Sequence, residues 1–368
     1  MELVVRKFDL LKELQLFQGI VERKNTIPIL ANVLFEAKGE TVRLAATDLE
    51  VGLRAECKAS IAKAGALTLP AKKLFEIVKE LPDTDIRIEE EKSGAVKVAA
   101  DRFEGRMQTM SKDDFPTLPE MSGDGVAIHR KLLREMVVKT QFAITGEDTR
   151  YFLNGALFVV RYDAMMLVAT DGHRLAIVTA PREGDPKVEE MRTILPKKTL
   201  SELSRLLAEG EEDIRFARSD SHIFFRIDGR LLVSRMIDGQ FPAYERVIPK
   251  SNDKRIEFER DRFQAAIRRV ALLSNERSRA VKFNIDNGRV EIASQTPDLG
   301  EAREQIAVDY TGPAMTISFN AQYVLDFLNV SDSDLVAVEF KDDVSQTVMK
   351  PIGTTDFDYT YVVMPMRV

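Results

Sequence analysis

A chain of 368 residues, 44% hydrophobic and 30% charged, is long enough for two or three domains with separate cores and is neither fibrous nor disordered in composition. A formal net charge of −6 argues against a generic nucleic-acid binder, and a single cysteine, Cys57, excludes a disulfide framework and a cysteine metal cluster. The start MELVVRKFDLLKEL is too charged for a signal peptide, and no run approaches the roughly 18 to 20 apolar residues of a membrane span, so a cytoplasmic location is expected.

In chain order the first element is a helix, RKFDLLKELQLF, over residues 6–17. Two alternating strands follow in LANVLFEAKGETVRLAATDLEVGLRA (30–55), then a short strand and amphipathic helix in LTLPAKKLFEIVKEL (67–81), then the strands DIRIEE and AVKVAA. The order then begins again. RKLLREMVVKTQF starts at 130, LNGALFVVRYDAMMLVATDGHRLAIV spans 153–178, and TILPKKTLSELSRLL spans 193–207. The third round is RDRFQAAIRRVALL, AVKFNIDNGRVEIASQTPDLGEAREQI (280–306) and TISFNAQYVLDFLNV (316–330). Asp286-Asn287-Gly288 marks a hairpin turn, Pro70 and Pro196 suit a first helical turn, and Asn320 suits an N-cap. Each repeat therefore reads helix, strands, helix, strands. The fold class is α+β, three similar domains of antiparallel sheet plus two helices. The polar stretches EMSGDG and PKSNDK place the boundaries at 1–121, 122–250 and 251–368.

One stretch has the composition of an active site. ATDGHRLA (169–176) sets Asp171, His173 and Arg174 around Gly172, and a hydrolase built on these three is one functional reading. The first repeat has ATDLEVGL at the same place, with Leu49 and Glu50 instead of Gly172 and His173. A Thr-Asp pair at a strand end ordinarily supplies turn hydrogen bonds, which is the reading the repeat favours for Asp48 and Asp171. No phosphate-binding loop, dinucleotide fingerprint, nucleophile elbow or zinc-protease motif occurs. His129, His173 and His222 are far apart, so no metal or cofactor is implied. Charge is unevenly spread. Six helix windows (6–17, 70–81, 130–140, 196–207, 259–270 and 319–330) carry +8 together, leaving −14 for the remainder. Basic helices suit a phosphate-facing surface, and they equally suit solvated helix faces. A non-ring scaffold that binds only proteins is a further alternative.

NTIPILANVL (25–34), RYFLNGALF (150–158), ATDGHRLA, DGQFPAYERVIPK (238–250), LLSNERSRAV (272–281), FNAQYVLDFLN (319–329) and YVVMPMRV (361–368), in this order, resemble the bacterial sliding clamp family, the β subunit of DNA polymerase III. The resemblance runs end to end. It implies a non-catalytic processivity subunit: a head-to-tail homodimer closing a six-domain ring around double-stranded DNA, with helices lining the hole. It also implies partners, namely the polymerase alpha subunit, the clamp loader delta subunit and other proteins with clamp-binding motifs. Their peptide pocket would comprise Leu153, Thr170, Gly172, His173, Arg174, Leu175, Pro242, Arg246 and Val247, faced by Asn320, Tyr323 and Val344 and completed by Val362, Val363, Met364, Pro365, Met366 and Arg367. Leu175, Val247, Met364 and Met366 would form its floor, with His173 and Arg174 at the rim. DNA-facing residues would be Lys24, Lys72, Arg130, Arg134, Tyr151, Phe152, Lys197 and Lys198. The dimer contact would use Leu272 and Leu273 against Met107, with Lys73 and Arg102 near Glu301 and Glu304. The sequence departs from relatives at Ser278, where an aromatic occurs, and at Val368, where leucine is common.

Overall fold

Three times the chain runs through the same order of ten elements. The computed structural model describes residues 1–21, 26–146, 149–186, 189–353 and 356–367. The first repeat is β1 (Glu2–Arg6), α1 (Lys7–Ile20), β2 (Asn32–Lys38), β3 (Thr41–Thr47), β4 (Val51–Lys63), β5 (Gly65–Pro70), α2 (Ala71–Glu80), β6 (Asp85–Glu90), β7 (Val96–Ala100) and β8 (Phe103–Met107). The second is β9 (Val126–Ile128), α3 (Arg130–Thr140), β10 (Gly155–Val160), β11 (Ala164–Thr170), β12 (Arg174–Pro181), β13 (Met191–Pro196), α4 (Lys197–Leu206), β14 (Ile214–Arg218), β15 (His222–Ile227) and β16 (Arg230–Arg235). The third is β17 (Lys254–Glu259), α5 (Arg260–Ala271), β18 (Ala280–Asp286), β19 (Arg289–Thr296), β20 (Gly300–Ala307), β21 (Met315–Asn320), α6 (Ala321–Val330), β22 (Leu335–Phe340), β23 (Thr347–Ile352) and β24 (Asp358–Val363). Each repeat opens on a strand, not on its first helix. Those strands are only three to six residues long, too short for alternation to stand out beside the helix that follows.

The helices form where the apolar spacing puts them. In α1, Leu10, Leu14, Phe17 and Ile20 fall on one face and are fully buried, each contributing about 1.5–3 kcal/mol of transfer free energy. Pro70 is the N-cap of α2, one position earlier than a first helical turn. Asn320 caps α6 as its side chain accepts from Gln322 N. The hairpin at Asn287-Gly288 pairs Asp286 with Arg289, and Gly288 supplies the positive φ (75°).

The sheets do not stop where a repeat ends. The chain divides into two units, residues 1–131 with 198–236 and residues 132–197 with 237–368. In the first unit a twelve-stranded sheet runs β8-β7-β6-β1-β4-β16-β15-β14-β9, with β3, β2 and β5 branching from β4. The junction is β4 against β16, which puts Leu53 opposite Leu232. The second unit holds an eight-stranded sheet, β13-β10-β11-β12-β24-β23-β22-β17, and a four-stranded one, β20-β19-β18-β21. There the junction is β12 against β24, which puts Ala176 opposite Tyr361. By position in the repeat, β12 is the equivalent of β4, and β24 of β16. One pairing rule is thus used twice.

A second rule concerns charge. The first helix of each repeat opens with a cation whose side chain donates to a carbonyl at the end of the second helix. Lys7 Nζ donates to Leu81 O, Arg130 Nη2 to Leu206 O at 2.8 Å, and Arg260 Nη1 to Ser331 O at 2.7 Å. Helix C-termini leave carbonyls unsatisfied and carry partial negative charge, which a cation offsets. This corrects the expectation that Arg130 faces DNA. It is 1% exposed, held at 2.7–2.9 Å by both Asp228 oxygens, and has no route to a phosphate. The Arg130 hydrogen bond, ahead of its charge, holds the Asp228 carboxyl below the usual carboxylate range. The stabilisation is therefore present above the unfolded carboxylate pKa and is lost as pH falls through the depressed folded value. Asp228→Ala leaves a buried guanidinium without its anion and should cost about 3 kcal/mol, read as a lowered denaturant midpoint.

Candidate functional site

The site begins at the Thr-Asp turn. In the first repeat Asp48 Oδ1 accepts from Glu50 N (2.9 Å) and Val51 N (2.7 Å), while Thr47 Oγ1 accepts from Leu49 N and donates to Val51 O, both at 3.0 Å. In the second repeat Asp171 Oδ1 accepts from His173 N (2.9 Å) and Arg174 N (3.0 Å), while Thr170 Oγ1 accepts from Gly172 N (3.1 Å) and donates to Arg174 O (2.7 Å). The two turns have the same bonds. Both need a positive φ at the third residue, 79° at Leu49 and 87° at Gly172, so glycine at 172 relieves strain that Leu49 bears. In the third repeat Pro297 separates Thr296 from Asp298, and the Thr296 hydroxyl turns to Leu273 O (2.8 Å). Asp171 is a turn residue, and its other oxygen accepts from Arg174 Nε at 3.0 Å.

Arg174 is the most tightly held side chain of the site. Besides Asp171 it binds the Asp326 carboxylate on α6 and donates to Phe142 O at 2.6 Å. Its guanidinium lies 4.3 Å from the Tyr323 ring centroid and 5.2 Å from that of Phe142. Burial works against its charge, yet Tyr361, Asp326 and Asp171 more than offset that and raise its pKa above the ordinary arginine value. Every arm of the fork is engaged within the chain. Arg174 fixes the turn to α6 and is not a free rim group.

Strand alternation separates the residues around it. Leu175 is opposite Val362 and Arg174 opposite Val363. Leu175 and Val362 share an apolar cluster with Leu157, Phe241, Tyr244 and Val348, with Phe152 packed against it. Val363 takes the other face and is fully buried, so it is no part of a pocket. After β24 the chain turns back along the site: Met364 N donates to His173 O at 2.9 Å and Met366 N to Ser318 O at 2.7 Å. Between turn, strand and tail lies an open cavity of about 260 Å³, mostly apolar, lined by Arg150, Phe152, Leu153, Thr170, Gly172, His173, Arg174, Leu175, Pro242, Tyr244, Val247, Val362 and Met364.

Ten of the expected pocket residues meet here. Arg246, Asn320, Tyr323, Val344, Pro365, Met366 and Arg367 do not line the cavity, and His173 sits beside Tyr323 at 6.4 Å between ring centroids. Met366 is thus not part of the floor. Arg150, Phe152 and Tyr244 line the cavity in addition to the expected residues. The resemblance implies that Phe152 faces DNA, but it forms part of the cavity wall. Tyr244 could have been found from its neighbours Phe241 and Pro242, which echo Phe115 and Pro116 of the first repeat.

Of the remaining DNA-facing candidates, Lys72, Arg134, Tyr151 and Lys197 are exposed. Lys198 reaches the Asp48 carboxylate and Ile20 O. Lys24 and Val368 lie outside the described residues. Among the dimer candidates Leu272 is 77% exposed, Leu273 half-buried, and Lys73, Arg102 and Glu301 exposed. Met107 is only 7% exposed and offers little apolar surface, whereas Phe103 on the same strand is 39% exposed. Glu304 is paired with Arg269 at 2.5 Å and Glu301 with Arg303 at 3.1 Å within the chain. Among the described residues no helix is long and apolar enough to cross a membrane.

Comparison with known proteins defines the class. The chain matches the DNA polymerase III beta subunit in its N-terminal domain over residues 1–119, its central domain over 127–243 and its C-terminal domain over 245–367. It is 37% identical to the beta sliding clamp of Pseudomonas putida and 33% identical to that of Escherichia coli K12, each covering all of both chains. A sliding clamp from Pseudomonas aeruginosa solved bound to griselimycin superposes with a TM-score of 0.94 at 36% identity over both full chains. The clamp of Bacillus subtilis gives 0.94 at 26% identity, covering 100% of this chain and 99% of that one. The chain belongs to the DNA polymerase III beta subunit family, the beta sliding clamps.

If the cavity takes apolar side chains, Leu175→Asp should abolish binding of a fluorescent leucine–phenylalanine peptide, measured by anisotropy. Arg174→Lys keeps the charge but not the fork and should weaken binding about tenfold with little change in the exposed surface. Unaltered affinity in Arg174→Lys would contradict the anchoring role.

Proposed function

We propose that two copies of this chain close head to tail into a six-domain ring that encircles duplex DNA, slides without reading sequence, and tethers partner proteins through the cavity beside Leu175. The domains are taken as 1–121, 122–250 and 251–368. The observation that carries the ring is the pairing rule of the two junctions. The strand at the position of β4 in one repeat pairs with the last strand of the next, as β4 does with β16 and β12 with β24. That leaves β20 of the third repeat and β8 of the first as sheet ends. Paired across two chains by the same rule, they close six repeats with no exposed edge at any junction. An unpaired edge is otherwise a liability.

The charges on these edges support this reading. β20 carries Glu301, Arg303 and Glu304, and β8 carries Glu104 and Arg106, so opposite signs can meet on both strands. Apolar contact would come from Leu272, Leu273 and Phe103, with rim ion pairs worth about 0–1 kcal/mol each. Exposed Lys72, Arg134 and Lys197 on the helices would meet phosphate, which suits sliding because backbone contacts carry no sequence information. The cavity would receive peptide anchors of the polymerase alpha subunit, the clamp loader delta subunit and other clamp-motif proteins. Each fully buried apolar side chain gains about 1.5–3 kcal/mol, so a short peptide binds in the micromolar range after association costs. A hydrolase at Asp171, His173 and Arg174 has no support, because the Asp171 carboxylate and the Arg174 fork are consumed by structure.

The junctions set the register. Leu53 opposite Leu232 and Ala176 opposite Tyr361 correspond to Glu301 opposite Gly105 of the second chain. Gly105→Cys with Glu301→Cys should therefore give a disulfide-linked dimer on mild oxidation, seen as doubled mass on a non-reducing gel. Cys57 does not compete, because burial, with help from Glu13 and Asp9, pushes its thiol pKa up to about 12. Monomer only, under conditions where a control disulfide forms, would contradict the ring closure.

A further inference from the structure

Several strand cations on this protein are matched with carboxylates. Arg43 lies opposite Glu56 and meets it at 3.1 Å, and Arg255 lies opposite Glu339 at the same distance. Lys97 reaches Glu104 at 2.6 Å, and Arg106 reaches Glu104 and Glu91 at 3.0 Å each. In β14 and β15 the matching fails. Arg215 lies directly opposite Arg226, both are exposed, and neither side chain has a hydrogen bond or ion pair among the described residues. Like charges facing each other across strands destabilise a sheet. With 59 acidic residues against 53 basic ones, the chain is not short of carboxylates.

The same row continues along the sheet of the first unit, with Arg226 opposite Leu231 and Leu231 opposite Arg54. At Arg54 the chain supplies an acid of its own. Glu120 meets its Nη1 at 2.7 Å, and Leu118 O accepts from its Nη2 at 3.2 Å. The segment bearing these groups packs Phe115, Leu118 and Met121 over Phe224, Leu231 and Val233. One end of the row is therefore covered by an acidic stretch of this chain, and the other end, two arginines wide, is open. Arg235, opposite His222, lies four residues from Leu231 on the same face, about 13 Å along the strand.

We propose that Arg215 and Arg226 form a docking surface for an acidic peptide segment of a partner protein, separate from the cavity beside Leu175. Two carboxylates of the segment would each accept from one guanidinium and remove the repulsion between them. Duplex DNA fits less well. Its affinity grows with the number of phosphates neutralised, and this face presents a pair of adjacent charges rather than a track.

A fluorescent hexaglutamate peptide, titrated at low salt, tests this on the full-length protein. Arg215→Gln with Arg226→Gln should weaken it at least about tenfold, while Arg43→Gln, at a matched pair, should leave it unchanged. Binding of the leucine–phenylalanine peptide should be unaffected in both, which shows that the fold is intact. Arg226→Glu should raise the melting temperature by replacing repulsion with an ion pair, and should also abolish hexaglutamate binding. Wild-type affinity in the double variant, a lowered melting temperature in Arg226→Glu, or loss of duplex oligonucleotide binding in place of hexaglutamate binding would each overturn the proposal.

Discussion

Backbone hydrogen bonding between strands of successive repeats is the constraint on which the rest depends. A sheet edge exposes a row of unpaired donors and acceptors, and each repeat taken alone would have two such edges at its flanks. Pairing β4 with β16 and β12 with β24 removes four of them. The same pairing delivers Leu175 beside Val362, and so creates the apolar wall of the cavity from residues almost two hundred positions apart. The cavity is a by-product of sheet continuity at one junction. At the other junction the equivalent turn, with Leu49 and Glu50, forms without the cavity residues.

The turn that resembles a catalytic triad shows how chemistry and structure are told apart. Its acid, imidazole and guanidinium are adjacent, but the acid and the guanidinium are both engaged in holding the structure. Asp171 ties the turn, and Arg174 ties the turn to α6 and to Phe142 O. His173 is left exposed beside Tyr323. Family membership points the same way, since the relatives are sliding clamps rather than enzymes.

Much of the fold was legible because it is written three times. The six helix windows fall within three residues of the observed helices, and the Thr-Asp turns at Asp48 and Asp171 carry the predicted hydrogen bonds. What stayed hidden has physical reasons. Arg130 reads as a solvated cation at a helix start, and only the tertiary contact with Asp228 and the end of α4 shows that it is a buried cap. Met107 reads as an available hydrophobe, and its burial depends on strand facing that a short segment does not reveal. Val362 and Val363 are alike in sequence, but alternation sends only one to the cavity. The register across β12 and β24 decides which, and no local pattern encodes a register between strands of different repeats.

On the proposed ring, retention on DNA is topological: the protein stays on because it surrounds the duplex, not because it grips it. A clamp loaded onto nicked circular duplex should remain bound through gel filtration at about 0.5 M salt, where contacts to phosphate are screened. Cutting the circle once should then release it, because the ring slides off the ends. Retention on the linear product equal to that on the circle, or loss from the intact circle as salt rises, would contradict the account.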